Sequence, residues 1–342
     1  MQKVERVLIS RTDNLGDVIL TLPLAGYIKS KWPSAEVFFL GKAYTKPLID
    51  ACIHVDRFLD WDALASLSED EAISTLKQLR ISTVVHVFPN KAFAWLCKRA
   101  SIPMRIGTTN RIFHWSSCNK LVKLSRKNSP FHESELNFAL LKPIFPNATF
   151  PSKEEIATLY GFSRVEPLEK RFASLINDHK VNVILHPKSK GSAREWGLDN
   201  YQRLIDLLGS EKYNVFVTGT EAEGEGELLR DRLIKPNPAV VDLTGRMSLS
   251  QLISFIESAD ALVACSTGPL HIASALGKLT IGLFPPIRPM HPGRWAPIGA
   301  QAKVLVKGDE CSDCRKTMHC HCITEIQPEE VAVLLTGFKK KE

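Results

Sequence analysis

The stretch ALVACSTGPLHIASALGKLTIGLF, Ala261 to Phe284, decides the fold. "ALVAC" is a short apolar run of the kind that fills a buried strand. "GPLHIASALG" has helical spacing, with Pro269 in its first turn and Gly277 at its close, and "LTIGLF" is a strand again. Strand, helix and strand in so short a span make a βαβ unit, which requires parallel strands. Working outward, "VNVILHP" and "YNVFVTG" are strands and "GLDNYQRLIDLLG" between them is a helix, with Asp199 as a candidate N-cap and Gly209 as a C-cap. "EGELLRDRLI" is a helix and "AVVDLTG" a strand, and "SLSQLISFIESA" is a helix started by Ser248.

The first half alternates in the same way. Strands are expected at Val4–Ser10, Glu36–Gly41, Arg57–Trp61, Thr83–Phe88 and Arg105–Gly107, and helices at Asp17–Lys31, Ser68–Arg80, Lys91–Ala100 and Glu133–Ile144. Proline at 143, 146 and 151 then interrupts regular structure, and a charged helix near Pro167–His179 connects the halves. The fold class is therefore α/β, with two Rossmann-like domains in tandem facing a cleft. We place the first at 1–165, the second at 166–327, and a terminal helix at 328–342. Ligands of such sheets bind at the carboxyl ends of the strands, so the strand-end loops carry the chemistry.

Three loops of the second half stand out. In "CSTGPLH", Ser266 and Thr267 are N-cap types, Gly268 admits a ligand close to the backbone, and His271 lies in the first helical turn. Free N–H groups at such a helix start make an anion site, although a well-capped structural helix would read the same. "HPKSKGSAREWG" carries Lys188, Ser189, Lys190, Ser192 and Arg194, a set of cations and hydroxyls suited to a diphosphate; the alternative is a flexible basic loop. "VTGTEAEGEGE" offers Glu223, and Glu221 close behind, to bond ribose hydroxyls, or simply to favour a helix start. In the first half, Asp17 follows Gly16 where strand turns to helix.

The bulk numbers fit a globular protein of two domains: 342 residues, 44% hydrophobic and 24% charged. Neither a span of 18 apolar residues nor a secretory signal is evident, and eight cysteines in so long a chain do not make a secreted disulfide framework, so a cytoplasmic location is expected. The net charge is +7, and between Ala72 and His132 there are eleven Lys and Arg and no Asp or Glu. That field suits an anionic partner: nucleic acid, an acidic membrane face or a phosphorylated substrate. The sequence lacks the aromatic and helix-turn-helix signals of nucleic-acid binders. It lacks GxGxxG and the Walker motif, which removes support for dehydrogenases and P-loop NTPases.

Together, "RTDNLGDVILTLP", "AREW", "MSLSQL" and "STGPLHIASALG" resemble glycosyltransferase family 9, the ADP-heptose:lipopolysaccharide heptosyltransferases, in order and spacing. The resemblance implies the GT-B fold, with an N-terminal acceptor domain, a C-terminal nucleotide-sugar domain and a last helix that crosses back to the first domain. It implies a metal-independent inverting transfer of heptose from ADP-heptose to a Kdo- or heptose-bearing inner-core acceptor, without a cofactor, at the inner face of the inner membrane. Position by position, Asp17 matches the general base. Arg194, Glu223, Met247, Thr267, Gly268 and His271 match the donor side, and Lys188, Ser189 and Ser266 join them as donor candidates. Gly16, Lys98, Arg99, Arg105 and Arg111 are the acceptor candidates. Ser266 stands where some heptosyltransferases carry Asp, which leaves another nucleotide sugar, or a sugar-nucleotide epimerase of the same fold, as the alternative. Near the C-terminus Cys311, Cys314, Cys320 and Cys322 are spaced for a structural zinc or iron, but not as a standard zinc ribbon, so no metal is expected.

Overall fold

The computed structural model describes residues 5–126, 129–221, 225–288, 290–308, 311, 320–338 and 340. The chain divides into two compact units, Met1–Arg164 and Val165–Glu342. Each is built on one six-stranded parallel sheet with helices between its strands.

In the first unit the strands are β1 (Arg6–Ser10), β2 (Glu36–Gly41), β3 (Arg57–Asp60), β4 (Thr83–His86), β5 (Met104–Thr108) and β6 (Lys120–Val122), in the spatial order β3-β2-β1-β4-β5-β6. Central strands such as "RVLIS" and "EVFFLG" are apolar almost throughout because both faces of a parallel sheet are covered. The helix expected over 17–31 is two, Leu15–Ile19 and Pro23–Lys31, because Pro23 has no N–H to continue the first and instead starts the second. The proline-spaced passage is packed onto this unit: Tyr27 meets the rings of Phe138, Phe145 and Phe150 at 5.4, 5.6 and 5.9 Å.

In the second unit β7 (Val181–His186), β8 (Tyr213–Val217), β9 (Val241–Asp242), β10 (Ala261–Cys265), β11 (Leu279–Phe284) and β12 (Ala302–Val306) lie in the order β12-β11-β10-β7-β8-β9. The Leu198–Leu208 helix is capped by Gly197, at φ 96°, rather than by Asp199. The segment expected to form a connecting helix over 167–179 is helical only at Lys170–Ala173. The last helix, Pro328–Thr336, packs on the second unit, with Val331 and Leu335 fully buried in that unit's core. Trp196 Nε1 donates to the Ile326 carbonyl at 2.8 Å, which ties this terminal segment to the loop after β7.

Candidate active site

In both sheets the first strand has its successor on one side and the fourth strand of its unit on the other. The chain thus reverses direction of winding between β1 and β4, and again between β7 and β10. Loops leaving the strands at such a point diverge and leave a crevice for a ligand. Asp17 lies just beyond β1, and the Lys188 and Thr267 loops lie beyond β7 and β10.

Beyond β1, Asn14 is extended and the Leu15–Ile19 helix places Asp17 in its first turn. Arg11, 3% exposed, organises the loop. Its Nε donates to Asp13 Oδ1 at 2.7 Å, one terminal nitrogen donates to Asp17 Oδ1, and the other donates to Glu133 Oε1 at 3.1 Å. Glu133 is fully buried at the start of the Glu133–Ala139 helix and also accepts from Arg126 Nε at 2.8 Å. The same helix holds the loop by its backbone, with the Ser134 hydroxyl and the Asn137 amide donating to the Leu20 carbonyl at 2.8 and 3.2 Å. Burial pushes the Asp17 carboxyl up to about 6; Arg11 works against the rise, and Asp13 and Glu133 add to it. Arg11 is held above its ordinary value: burial works to lower it, and Asp17, Asp13 and Glu133 outweigh that. Asp17 is therefore ionised at neutral pH yet more basic than a free carboxylate, which is what a general base requires. Its side chain keeps 15% exposure, enough for a hydroxyl to reach it. His86, at the end of β4 and fully buried, is no rival base, because burial lowers it to about 3.

The sequence did not single out Arg11, Asp13, Arg126, Glu133 or Asn137. Arg11 belongs to the quoted motif, but Glu133 comes 122 positions later, and local spacing carries no signal for that pairing.

The expected acceptor cations separate. The Lys91–Arg99 helix begins at the carboxyl end of β4 and runs back, so Lys98 and Arg99 in its last turn lie at the opposite end of the sheet from Asp17. Lys98 Nζ donates to the Ser116 carbonyl at 2.7 Å, and Arg99 pairs with Glu69. Arg105 opens β5 at that same far end, with Nε on the Ser117 carbonyl at 2.8 Å. These three hold the protein's own groups at that end of the sheet. Arg111 follows β5 at the Asp17 end and is exposed; Gly16 adjoins Asp17.

In the second unit Thr267 is the N-cap of the Gly268–Ala275 helix but makes no side-chain cap bond. Its hydroxyl is buried with no hydrogen-bond partner among the described residues, at the positive end of the helix, with His271 buried one turn on. Ser266 and Gly268 flank it, half-buried. In the loop after β7, Lys188 pairs with Glu195, Ser189 N donates to Glu195 Oε1 at 3.0 Å, and the Ser189 hydroxyl donates to the Ala193 carbonyl at 3.0 Å. The Ser189 hydroxyl thus shapes its own loop. Arg194 is 8% exposed, and Met247 is half-buried beside the Ser248 cap. Glu223 lies outside the described residues. Its neighbour Glu221 grips Arg230 with both oxygens at 2.7 Å, so that carboxylate is committed. Cys314 also lies outside the described residues. Cys320 is buried, with Cys311 and Cys322 packed against the core, and among the described residues no group is arranged to hold a metal ion.

Comparison with known proteins gives the family. The model of the family Glycosyltransferase family 9 (heptosyltransferase) matches residues 76–322. A "Putative glycosyltransferase" of Haemophilus influenzae is 26% identical over 86% of both chains. Lipooligosaccharide heptosyltransferase 2 of the same organism is 23% identical over 83% of this chain and 84% of its own. The solved structure of Escherichia coli ADP-heptose lipopolysaccharide heptosyltransferase II shares the fold, with a TM-score of 0.75, 18% identity, and coverage of 97% of this chain and 98% of its own. With two doubly wound sheets and a family match over most of its length, the chain belongs to glycosyltransferase family 9 and is a heptosyltransferase-like glycosyltransferase.

Proposed function

We propose that the protein transfers heptose from ADP-heptose to a Kdo- or heptose-bearing sugar of the lipopolysaccharide inner core, with inversion and with Asp17 as general base. The observation that carries the reading is the Asp17 carboxyl, lifted to about 6 and fixed by Arg11 at the end of β1. An acceptor hydroxyl gives its proton to Asp17 while its oxygen forms a bond to the anomeric carbon. The bond from that carbon to the diphosphate oxygen breaks, and the electron pair leaves with ADP. Charge that builds on the leaving diphosphate is received by the helix start at Thr267, Gly268 and His271, with Lys188 and Arg194 as cations. Ser189 shapes the loop, Met247 packs near the nucleotide, and Glu223 bonds the ribose. Gly16 and Arg111 face the acceptor. No metal or other cofactor enters this sequence of steps.

A second reading keeps the mechanism and changes the donor sugar. It rests on Ser266, which stands where some heptosyltransferases carry Asp. The acceptor is borne on a lipid, so the enzyme works at the inner face of the inner membrane; among the described residues no helix is long and apolar enough to cross a membrane. Purified protein is mixed with ADP-heptose and a Kdo-bearing lipid A, and ADP release is followed. Turnover supports the heptose reading. Turnover only with a different nucleotide sugar overturns it and leaves the mechanism.

A further inference from the structure

Ile112 is 81% exposed and Trp115 is 63% exposed, and both belong to the six-residue helix Ile112–Ser117. Side chains three apart share one helix face, so the two large apolar groups stand together on the surface. The opposite face is anchored. His114 and Ser117 are fully buried, and a Cβ at Gly107 would come within 2.7 Å of the His114 ring, so the helix lies directly on β5. The Lys98 and Arg105 bonds to the Ser116 and Ser117 carbonyls clamp its C-terminal end. The Trp115 indole N–H is already satisfied by the Thr109 carbonyl at 2.8 Å, which leaves its ring as the exposed part. The apolar pair is thus displayed on a rigid support rather than on a loose loop.

The surroundings are basic. Arg111 precedes Ile112, and the edge strand β6 with the residue after it adds exposed Lys120, Leu121 and Lys123. From Ala72 to His132 the sequence has no acidic residue. A tryptophan and an isoleucine rimmed by lysine and arginine match a negatively charged bilayer surface. The apolar rings and chains enter the headgroup boundary while the cations meet lipid phosphates. We infer that the Ile112–Trp115 face with its Lys120 and Lys123 rim docks the first unit on an anionic lipid surface. The inference rests on the reading that the acceptor is lipid-borne, because docking would then bring the enzyme to its substrate.

The test uses the full-length protein and vesicles of phosphatidylglycerol with phosphatidylethanolamine, against vesicles of phosphatidylcholine alone. Sedimentation with vesicles, and the blue shift of tryptophan emission that Trp115→Phe removes, report binding. The wild type is expected to bind the anionic vesicles and release them as salt is raised. The Ile112→Ser/Trp115→Ser and Lys120→Glu/Lys123→Glu variants are expected to bind at least roughly tenfold more weakly. Both should keep the far-ultraviolet circular dichroism of the wild type and full turnover of a detergent-dispersed acceptor. Turnover of the same acceptor embedded in vesicles should fall with binding. Wild-type protein that ignores anionic vesicles, or variants that bind as well as wild type, overturn the inference. So does a wild-type dimer that the Ile112→Ser/Trp115→Ser change converts to monomer, since the face would then pair two copies. Turnover of the dispersed acceptor is read separately, so loss of docking and failure of the proposed reaction cannot be confused.

Discussion

The two strand-end sites use charge in opposite ways. At the end of β1, every partner of Asp17 is another protein group: Arg11 is shared among Asp13, Asp17 and Glu133, and Arg126 backs Glu133. At the end of β10, the Thr267 hydroxyl has no protein partner among the described residues, and the helix start behind it is uncapped. The first site is built from the protein's own groups, which in the proposed reaction tune a proton acceptor. The second leaves a donor open, and in the proposed reaction an anion completes it. A base needs a fixed environment to hold its basicity, whereas a leaving-group site needs donors with nothing else to satisfy.

Substitutions can break this contrast. Asp17→Asn keeps the shape and removes the base. It is expected to lower turnover by about a thousandfold with nucleotide-sugar affinity intact; single-turnover rates beside donor titrations would show it, and a loss of affinity equal to the loss of rate would mean that Asp17 only shapes the site. Thr267→Val should do the reverse, weakening donor binding by roughly tenfold while the acid limb of the pH profile stays where it is. Calorimetric titration with ADP checks this, and unchanged affinity would remove Thr267 from the donor site.

The acid limb itself sharpens the comparison. Only ionised Asp17 accepts a proton, so the rate should fall as pH drops through about 6. Asp13 raises the Asp17 carboxyl, so Asp13→Asn should move that limb to lower pH, and a limb that stays put would assign it to another group. The smallest effect is expected at the end of the first sheet opposite Asp17. Arg105→Ala should cost about 1 kcal/mol of stability through its lost carbonyl bonds and leave the acceptor KM unchanged. Urea unfolding with acceptor kinetics would distinguish a structural arginine from a binding one.

Much of the fold was legible because parallel strands are buried on both faces and announce themselves as apolar runs. The two that went unread are edge strands. β6 is three residues long, and β12 is only partly covered, so neither carries a full apolar run. Ser248 and Gly209 were readable as caps since capping is local. Asp17 was readable for the same reason, as part of one turn. Its tuning was not, because Glu133 reaches Arg11 from a distant helix. Composition counts the cations of the basic stretch without saying which end of the sheet they occupy. Lys98, Arg99 and Arg105 proved to be holding carbonyls and a surface carboxylate at the far end.

Among the described residues, the ion pairs around Arg11 join two guanidinium groups, Arg11 and Arg126, to the carboxylates of Asp13, Asp17 and Glu133. In the proposed transfer, a proton arriving on Asp17 relieves the repulsion from Asp13 and Glu133 that raises its carboxyl. Proton acceptance and relief of that repulsion therefore pull the same way. Before the next cycle the proton must be returned to solvent, and the partly exposed face of Asp17 is its way out.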